Sequence, residues 1–254
     1  MSYKAYAKVN IFLKITGTRG NYHTLASRFM RVENLYDELE FIPNRSDAFL
    51  LDGNFGCETR QNTIYKAYAA LLDYTKSKEL KEFFITNGVG VQKRIPAFAG
   101  LGGGSSDAAT FLHMCNDSLA LGLRTKELSE IGAKVGADVP FFIYNFASAN
   151  VTGIGENVER FDESPLSLEL FTPKIEISTP AVYKRYKERF FRPISLEKEK
   201  NLLQKSSQEA LSEMSKEEAN DLYLPALELY PELHEYAQEG WFFSGSGSSF
   251  FRAF

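Results

Sequence analysis

The strongest chemical signal in the sequence is the run Gly100-Leu101-Gly102-Gly103-Gly104-Ser105-Ser106. Glycines let a backbone turn tightly and bring its N–H groups against an anion with no Cβ in the way. Ala108, Phe111, Leu112, Cys115 and Leu119 recur at helical spacing directly after the run. The start of such a helix offers unpaired N–H groups and the positive end of the helix dipole, and both suit phosphate. Ser105 and Ser106 add hydroxyls that can meet phosphate oxygens or complete the coordination of Mg2+. The run lacks the Gly-Lys-Ser/Thr ending of a Walker A loop. It also departs from the dinucleotide fingerprint, whose third glycine position falls on Ser105. A bare glycine turn is the competing explanation; the strand-like segment before the run, the helix after it and the paired serines favour phosphate.

Two further residues would complete a phosphoryl-transfer site. Asp138 lies in Gly136-Ala-Asp-Val-Pro140, a turn, where a carboxylate can take the proton of an attacking hydroxyl or orient that hydroxyl. Lys8 lies on an alternating segment, Tyr3 to Ile15, and shares a face with Asn10. A lysine there can lower the pKa of a nearby carboxylate and stabilise developing charge. Taken singly, Asp138 reads as a turn former and Lys8 as a solvated strand lysine.

The elements that must position these groups follow from periodicity. Strands are expected over Tyr3–Ile15, around Ser27–Asn34, near Asp37–Ile42 and over 83–95, with a loop at Gly17–His23. Helices are expected over 61–75, after the glycine run, and from Thr125 through Leu128, Ile131 and Val135 to Gly136. The aromatic run Phe141–Phe146 reads as a buried strand. Beyond it come a strand near Lys174–Ser178, a charged helical stretch over 181–218, a helix near 222–239, the loop Ser244–Ser249 and a last strand Phe250–Phe254. Gly153 and Gly155 bracket a loop where the domain changes. Strands and helices interleave, so the class is α/β or α+β.

The bulk composition narrows the field. The 254 residues suffice for one large or two modest domains, with 44% hydrophobic and 24% charged residues. A net charge of −4 with dispersed Lys and Arg argues against a nucleic-acid binder. No stretch is long and apolar enough to span a membrane, and no leader pattern is evident, so a cytoplasmic protein is expected. Cys57 and Cys115 are too few and too distant for a zinc site and read as reduced thiols.

Taken together, Ala7-Lys-Val-Asn-Ile11, Gly100–Ser106 followed by Asp107-Ala-Ala, and Ser244-Gly-Ser-Gly-Ser248 resemble the three motifs of the GHMP kinases. Asn21-Tyr-His-Thr-Leu25 and Gly136-Ala-Asp-Val-Pro140 point to the branch of that superfamily whose substrate is a cytidine-diphosphate-linked methylerythritol. The resemblance implies a two-domain fold, residues 1–147 binding ATP and carrying the chemistry, residues 148–254 binding substrate, and the active site in the cleft between them. It implies Lys8 and Asp138 as the catalytic pair. ATP would be held by Asn62, Pro96, Gly100, Leu101, Gly102, Gly103, Gly104, Ser105 and Ser106, with Mg2+ at Ser105 or Ser106. Substrate would meet Asn10, Tyr22, His23, Tyr183, Gly245, Ser246 and Gly247, with His23 on the base edge and Tyr183 stacked on the base. A monomer or weak homodimer with small-molecule partners alone is expected. Homoserine- or mevalonate-type kinases have no base to stack, which disfavours them against Tyr22, His23 and Tyr183; a silent nucleotide-binding regulator would not need both Lys8 and Asp138. One departure is Ala97-Phe98-Ala99, where the family often carries glycine.

Overall fold

The computed structural model describes residues 2–46 and 48–254. Two long strands open the chain: β1 (Ser2–Arg19) and β2 (Tyr22–Pro43), which pair with each other. The expected loop at Gly17–His23 is reduced to a turn at Gly20 and Asn21, with Gly20 at φ +60. The two strands expected within 27–42 are one, because no Gly or Pro interrupts the chain between Tyr22 and Ile42. β1 is also more enclosed than alternation implied. Every residue from Ala7 to Leu13 is buried, Lys8 and Asn10 included, which removes the solvated-lysine reading.

The chain divides into two compact units. The first comprises the chain up to Ala7, Glu33–Ala97 and Gly102–Asn145. In it β4 (Asn87–Gln92) pairs antiparallel with 38–43 of β2, and β3 (Leu51–Asp52) runs parallel to β4. Five helices accompany them: α1 (Thr63–Thr75), α2 (Lys78–Thr86), α3 (Gly103–Ser118), α4 (Thr125–Ala133) and α5 (Val139–Tyr144). Two sequence expectations fail here. The segment expected as a strand over 83–95 begins inside α2, whose Leu80 and Phe84 are buried one turn apart, and only 87–92 is extended. The run beginning at Phe141 is helical to Tyr144; Pro140 in the first turn fixes a helical φ, and a short wholly buried run shows no period to tell helix from strand. α4 is capped by Arg124, one residue before the expected Thr125.

The second unit comprises Lys8–Val32, Phe98–Leu101 and Phe146–Phe254. Here β5 (Ser148–Gly153) pairs antiparallel with 25–30 of β2 and with β6 (Asn157–Arg160). A second sheet has the order β7 (Leu168–Phe171), β9 (Phe250–Ala253), β8 (Phe242–Phe243). The strand expected at 174–178 is irregular; β7 precedes it. The charged stretch is not one helix. It breaks into α6 (Thr179–Arg185), a π turn over Tyr186–Phe190, α7 (Leu196–Gln204), α8 (Ser207–Glu213) and α9 (Lys216–Ala219). Pro193 and the serine caps Ser195, Ser206 and Ser215 impose the breaks. α10 (Tyr223–Leu229) stops before Pro231.

Arg28 of β2 ties this unit together. Its fully buried guanidinium donates to Asn150 Oδ1 at 2.8 Å, Glu163 Oε1 at 3.2 Å and the carbonyls of Leu203 and Lys205 at 3.0 and 3.1 Å. Burial lowers its pKa, opposed by the Glu163 charge.

Candidate active site

Lys8 and Asn10 stand two residues apart on β1 and therefore point the same way. The Lys8 ammonium donates to Asn10 Oδ1 at 2.7 Å and to the Gly100 carbonyl at 3.2 Å, and lies 4.6 Å from the centre of the Phe29 ring. Burying an ammonium is costly unless such acceptors meet it. Lys8 is 3% exposed, and it is met. Asn10 Nδ2 donates to Ser27 Oγ at 3.0 Å, and Ser27 Oγ donates to the Phe12 carbonyl. The backbone N–H of Lys8 bonds the Leu101 carbonyl at 3.0 Å, so the strand carries the head of the glycine run directly.

Gly100 adopts φ +74, and a Cβ there would overlap the Ser244 carbonyl oxygen. Its glycine is thus demanded twice, by dihedral and by space. The Ser244 hydroxyl donates to the Gly100 carbonyl at 3.0 Å, the Gly247 N–H returns to the Ser244 carbonyl at 2.9 Å, and Gly245 packs against Gly100 and Asn10. Asn220, almost wholly buried, holds this second glycine loop by donating to the carbonyls of Phe243 and Gly245, each at 2.8 Å, while its Oδ1 accepts the Leu222 N–H. Ser246 Oγ lies 2.7 Å from Thr179 Oγ1 at the start of α6.

In the first unit the run continues as the start of α3. Gly102 precedes it at φ +73 and supplies no side-chain cap, while the Ser106 N–H already bonds the Gly102 carbonyl. The N–H groups of Gly103, Gly104 and Ser105 are those a helix leaves without intrahelical partners, the arrangement that receives phosphate. Thr63 Oγ1 donates to the Gly104 carbonyl at 2.6 Å, tying α1 to the loop; its neighbour Asn62 caps α1 by accepting the Ile64 N–H at 2.8 Å. Asp138 occupies the N-cap position of α5 with φ −84 and ψ −12, and its carboxylate does not cap that helix. The turn bearing it lies against the start of α3: a Cβ at Gly136 would stand 3.7 Å from Ser105 Oγ. Pro96 is exposed on the approach to the run.

Behind the first turn of α3 lies an ion cluster that sequence spacing did not reveal. Lys93 Nζ donates to Asp37 Oδ2 at 2.5 Å and Asp107 Oδ2 at 2.6 Å. Burial pushes the Asp107 carboxyl up to about 7, against the pull of Lys93. Burial also draws the Lys93 amine down more than any other single effect, but the two carboxylates together leave it raised.

His23 faces a pocket of rings in the second unit. Tyr183, Tyr186 and Phe191 lie 5.4, 5.8 and 6.2 Å from its ring centre. The Tyr183 ring is tilted 30° from the imidazole plane, so the two rings stand side by side on one wall. His23 Nε2 is buried with no hydrogen-bond partner among the described residues. Burial, with the Lys187 charge second, keeps the imidazole below its usual pKa. Tyr22 begins β2 on the opposite face, 66% exposed.

The structure therefore gathers Lys8, Asn10, Gly100, Leu101 and Gly245 at one place, Gly103–Ser106 beside the Asp138 turn at another, and His23 with Tyr183 at a third. Missed from sequence were Ser27, Asn220, Thr179, Tyr186, Phe191, Asp37 and Lys93, none of which sits in a glycine-marked motif. Asp107 stands inside a quoted motif, but nothing local marked it as an ion-pair partner. Among the described residues no cluster of three His, Cys, Asp or Glu forms a metal site.

Known proteins resemble this chain along most of its length. Residues 62–146 match the GHMP kinases N terminal domain. A 4-diphosphocytidyl-2-C-methyl-D-erythritol kinase of Sulfurimonas denitrificans is 58% identical over 98% of this chain and 96% of its own length. One from Sulfurovum sp. is 49% identical over 99% and 98%. A crystal structure of a 4-(cytidine 5'-diphospho)-2C-methyl-D-erythritol kinase superposes with a TM-score of 0.76 at 30% identity, covering 100% of this chain and 90% of that one.

Proposed function

The chain belongs to the 4-diphosphocytidyl-2-C-methyl-D-erythritol kinases, a family within the GHMP kinases, and on that premise we propose how its residues perform the family's reaction. It is an ATP-dependent small-molecule kinase that phosphorylates the 2-hydroxyl of 4-diphosphocytidyl-2-C-methyl-D-erythritol, giving the 2-phosphate and ADP, in the non-mevalonate route to isoprenoid precursors.

The observation that carries the residue assignment is the buried Lys8 ammonium, fixed between Asn10 Oδ1 and the Gly100 carbonyl at the head of the phosphate loop. The first-turn N–H groups of α3 hold the ATP phosphates. Asp138 takes the proton of the acceptor hydroxyl, or orients it for in-line attack on the γ-phosphorus. Lys8 stabilises the charge that develops on the transferred group. His23 reads the cytosine edge through Nε2 while Tyr183, its neighbour at 5.4 Å, stacks on the base. In this scheme residues 1–147 serve ATP and the chemistry, and 148–254 add substrate contacts.

Mg2+ belongs to the scheme as well. It favours oxygen donors and few protein ligands, taking the rest from phosphates and water, so a loop offering the partly exposed Ser105 hydroxyl, with that of Ser106 buried behind it, fits it without a carboxylate cage. When bound it neutralises phosphate charge. A cytoplasmic protein, monomeric or weakly dimeric, is proposed too: ATP is a cytoplasmic metabolite, and both cysteines are free, as expected of a reducing compartment.

The test is ADP release with Mg·ATP and a panel of acceptors: the cytidylylated methylerythritol, mevalonate, homoserine and galactose. Turnover with the first alone, abolished in Asp138→Ala, is expected. Turnover with another acceptor would sink the cytidine pocket, and full activity in Asp138→Ala would remove that residue from the chemistry.

A further inference from the structure

The Lys93 cluster lies where a charge would matter most to a bound polyphosphate. Asp37, completely buried, accepts the backbone N–H groups of Arg94 and Ile95 at 2.5 and 2.8 Å through Oδ1 and the Lys93 ammonium through Oδ2. It thereby fixes the chain where it leaves β4. Asp107 reaches the same ammonium from the second turn of α3, one residue after Ser106, and its Oδ1 is buried with no hydrogen-bond partner among the described residues. The start of α3 sits directly on this cluster: a Cβ at Gly103 would lie 2.9 Å from Ile95 Cγ2 and 3.6 Å from Lys93 Nζ. Two carboxylates behind the N–H groups that receive phosphate would repel a polyanion, and one ammonium stands between them.

We propose that Lys93 is a positioning residue of the nucleotide site, whose ammonium holds the first turn of α3 against the exit of β4 and offsets Asp37 and Asp107, keeping the loop receptive to phosphate. The inference rests on reading that turn as the phosphate site. It requires no contact between Lys93 and ATP: the ammonium acts through the loop and through the field there. A purely structural ion cluster would also destabilise the fold when cut, but it would not couple nucleotide affinity to the charge on Asp107.

The test is ADP binding by calorimetry, without acceptor, on the full chain, with thermal unfolding recorded for each variant. Lys93→Gln is expected to weaken ADP binding by at least about tenfold, because the buried Asp37 and Asp107 are then left without their cation and the turn without its anchor. Adding Asp107→Asn to it is expected to recover about threefold of that loss while leaving the double variant at least about threefold below wild type, and Asp107→Asn alone to stay within about threefold of wild type. Wild-type affinity in Lys93→Gln, or a loss that the second substitution does not relieve, overturns the proposal. Should Lys93→Gln not fold, the double variant decides: affinity at least about threefold below wild type supports the proposal and equal affinity overturns it. ADP binding to the wild-type protein is the control on the phosphate-loop reading, and its absence overturns both. The acceptor's identity does not enter.

Discussion

The Ser244 hydroxyl donates to the Gly100 carbonyl oxygen, the same oxygen that receives the Lys8 ammonium. Gly100 is thus the joint between the two glycine loops and the buried lysine. Gly100→Ala adds a Cβ that overlaps the Ser244 carbonyl, at a dihedral that L residues rarely adopt. We expect a loss of at least ~2 kcal/mol in stability and a large fall in kcat. Urea unfolding and steady-state kinetics check it; a variant with wild-type values for both would show that the loops do not need to meet.

Asn10 spends both ends of its amide, one on Lys8 and one on Ser27. Asn10→Ala should leave the ammonium loosely held, lowering kcat by about 10- to 100-fold with little change in the KM for ATP. The stability cost should be ~1–3 kcal/mol, the range for an orphaned buried partner. An unchanged kcat would detach Asn10 from the placement of Lys8.

Burial, then the charge of Lys187, depresses the His23 pKa below its reference of 6.5. A depressed histidine favours the neutral ring in the folded state, so what it contributes is present above 6.5 and lost as pH falls through the folded pKa. The acceptor KM should therefore be flat from about pH 8 to about 6.5 and climb only below that. Lys187→Ala should move the climb upward, towards 6.5. Imidazole NMR titration beside the KM profile reads this directly, and a climb beginning above pH 6.5 contradicts it.

Asn220 lies outside every motif, yet it satisfies three backbone groups around the C-terminal glycine loop. Asn220→Ala should cost ~2–4 kcal/mol, more than a single hydrogen bond contributes, because two carbonyls and an N–H lose their partners in a buried place. Asn220→Asp should be no better, since a carboxylate cannot donate to either carbonyl. Chemical denaturation of both variants settles the order.

These cases also show which parts of the molecule local sequence could reveal. The glycine run opening α3, the Asp138 turn and the shared face of Lys8 and Asn10 were legible because glycine, proline and strand alternation act over a few residues. The run after Val139 was misread, since burial on all sides erases the period that separates helix from strand. The strand reading near Phe83 failed for a related reason: three adjacent large apolar residues hid the Leu80–Phe84 spacing of α2. Lys93, Asp37, Asn220 and Tyr186 were invisible because their roles depend on partners far away in sequence, and nothing local distinguishes them.

The sharing of the Gly100 carbonyl by Lys8 and Ser244 carries a consequence for the protein's birth. Translation delivers Gly100 92 residues after Lys8, and the hydroxyl that braces their meeting point arrives 144 residues later still. A nascent chain can build the turns of α3 while the ribosome is still at work, yet the surroundings of its buried lysine stay unfinished until Ser244 emerges. Synthesis itself thus delays the assembly of that corner of the site well beyond the completion of α3.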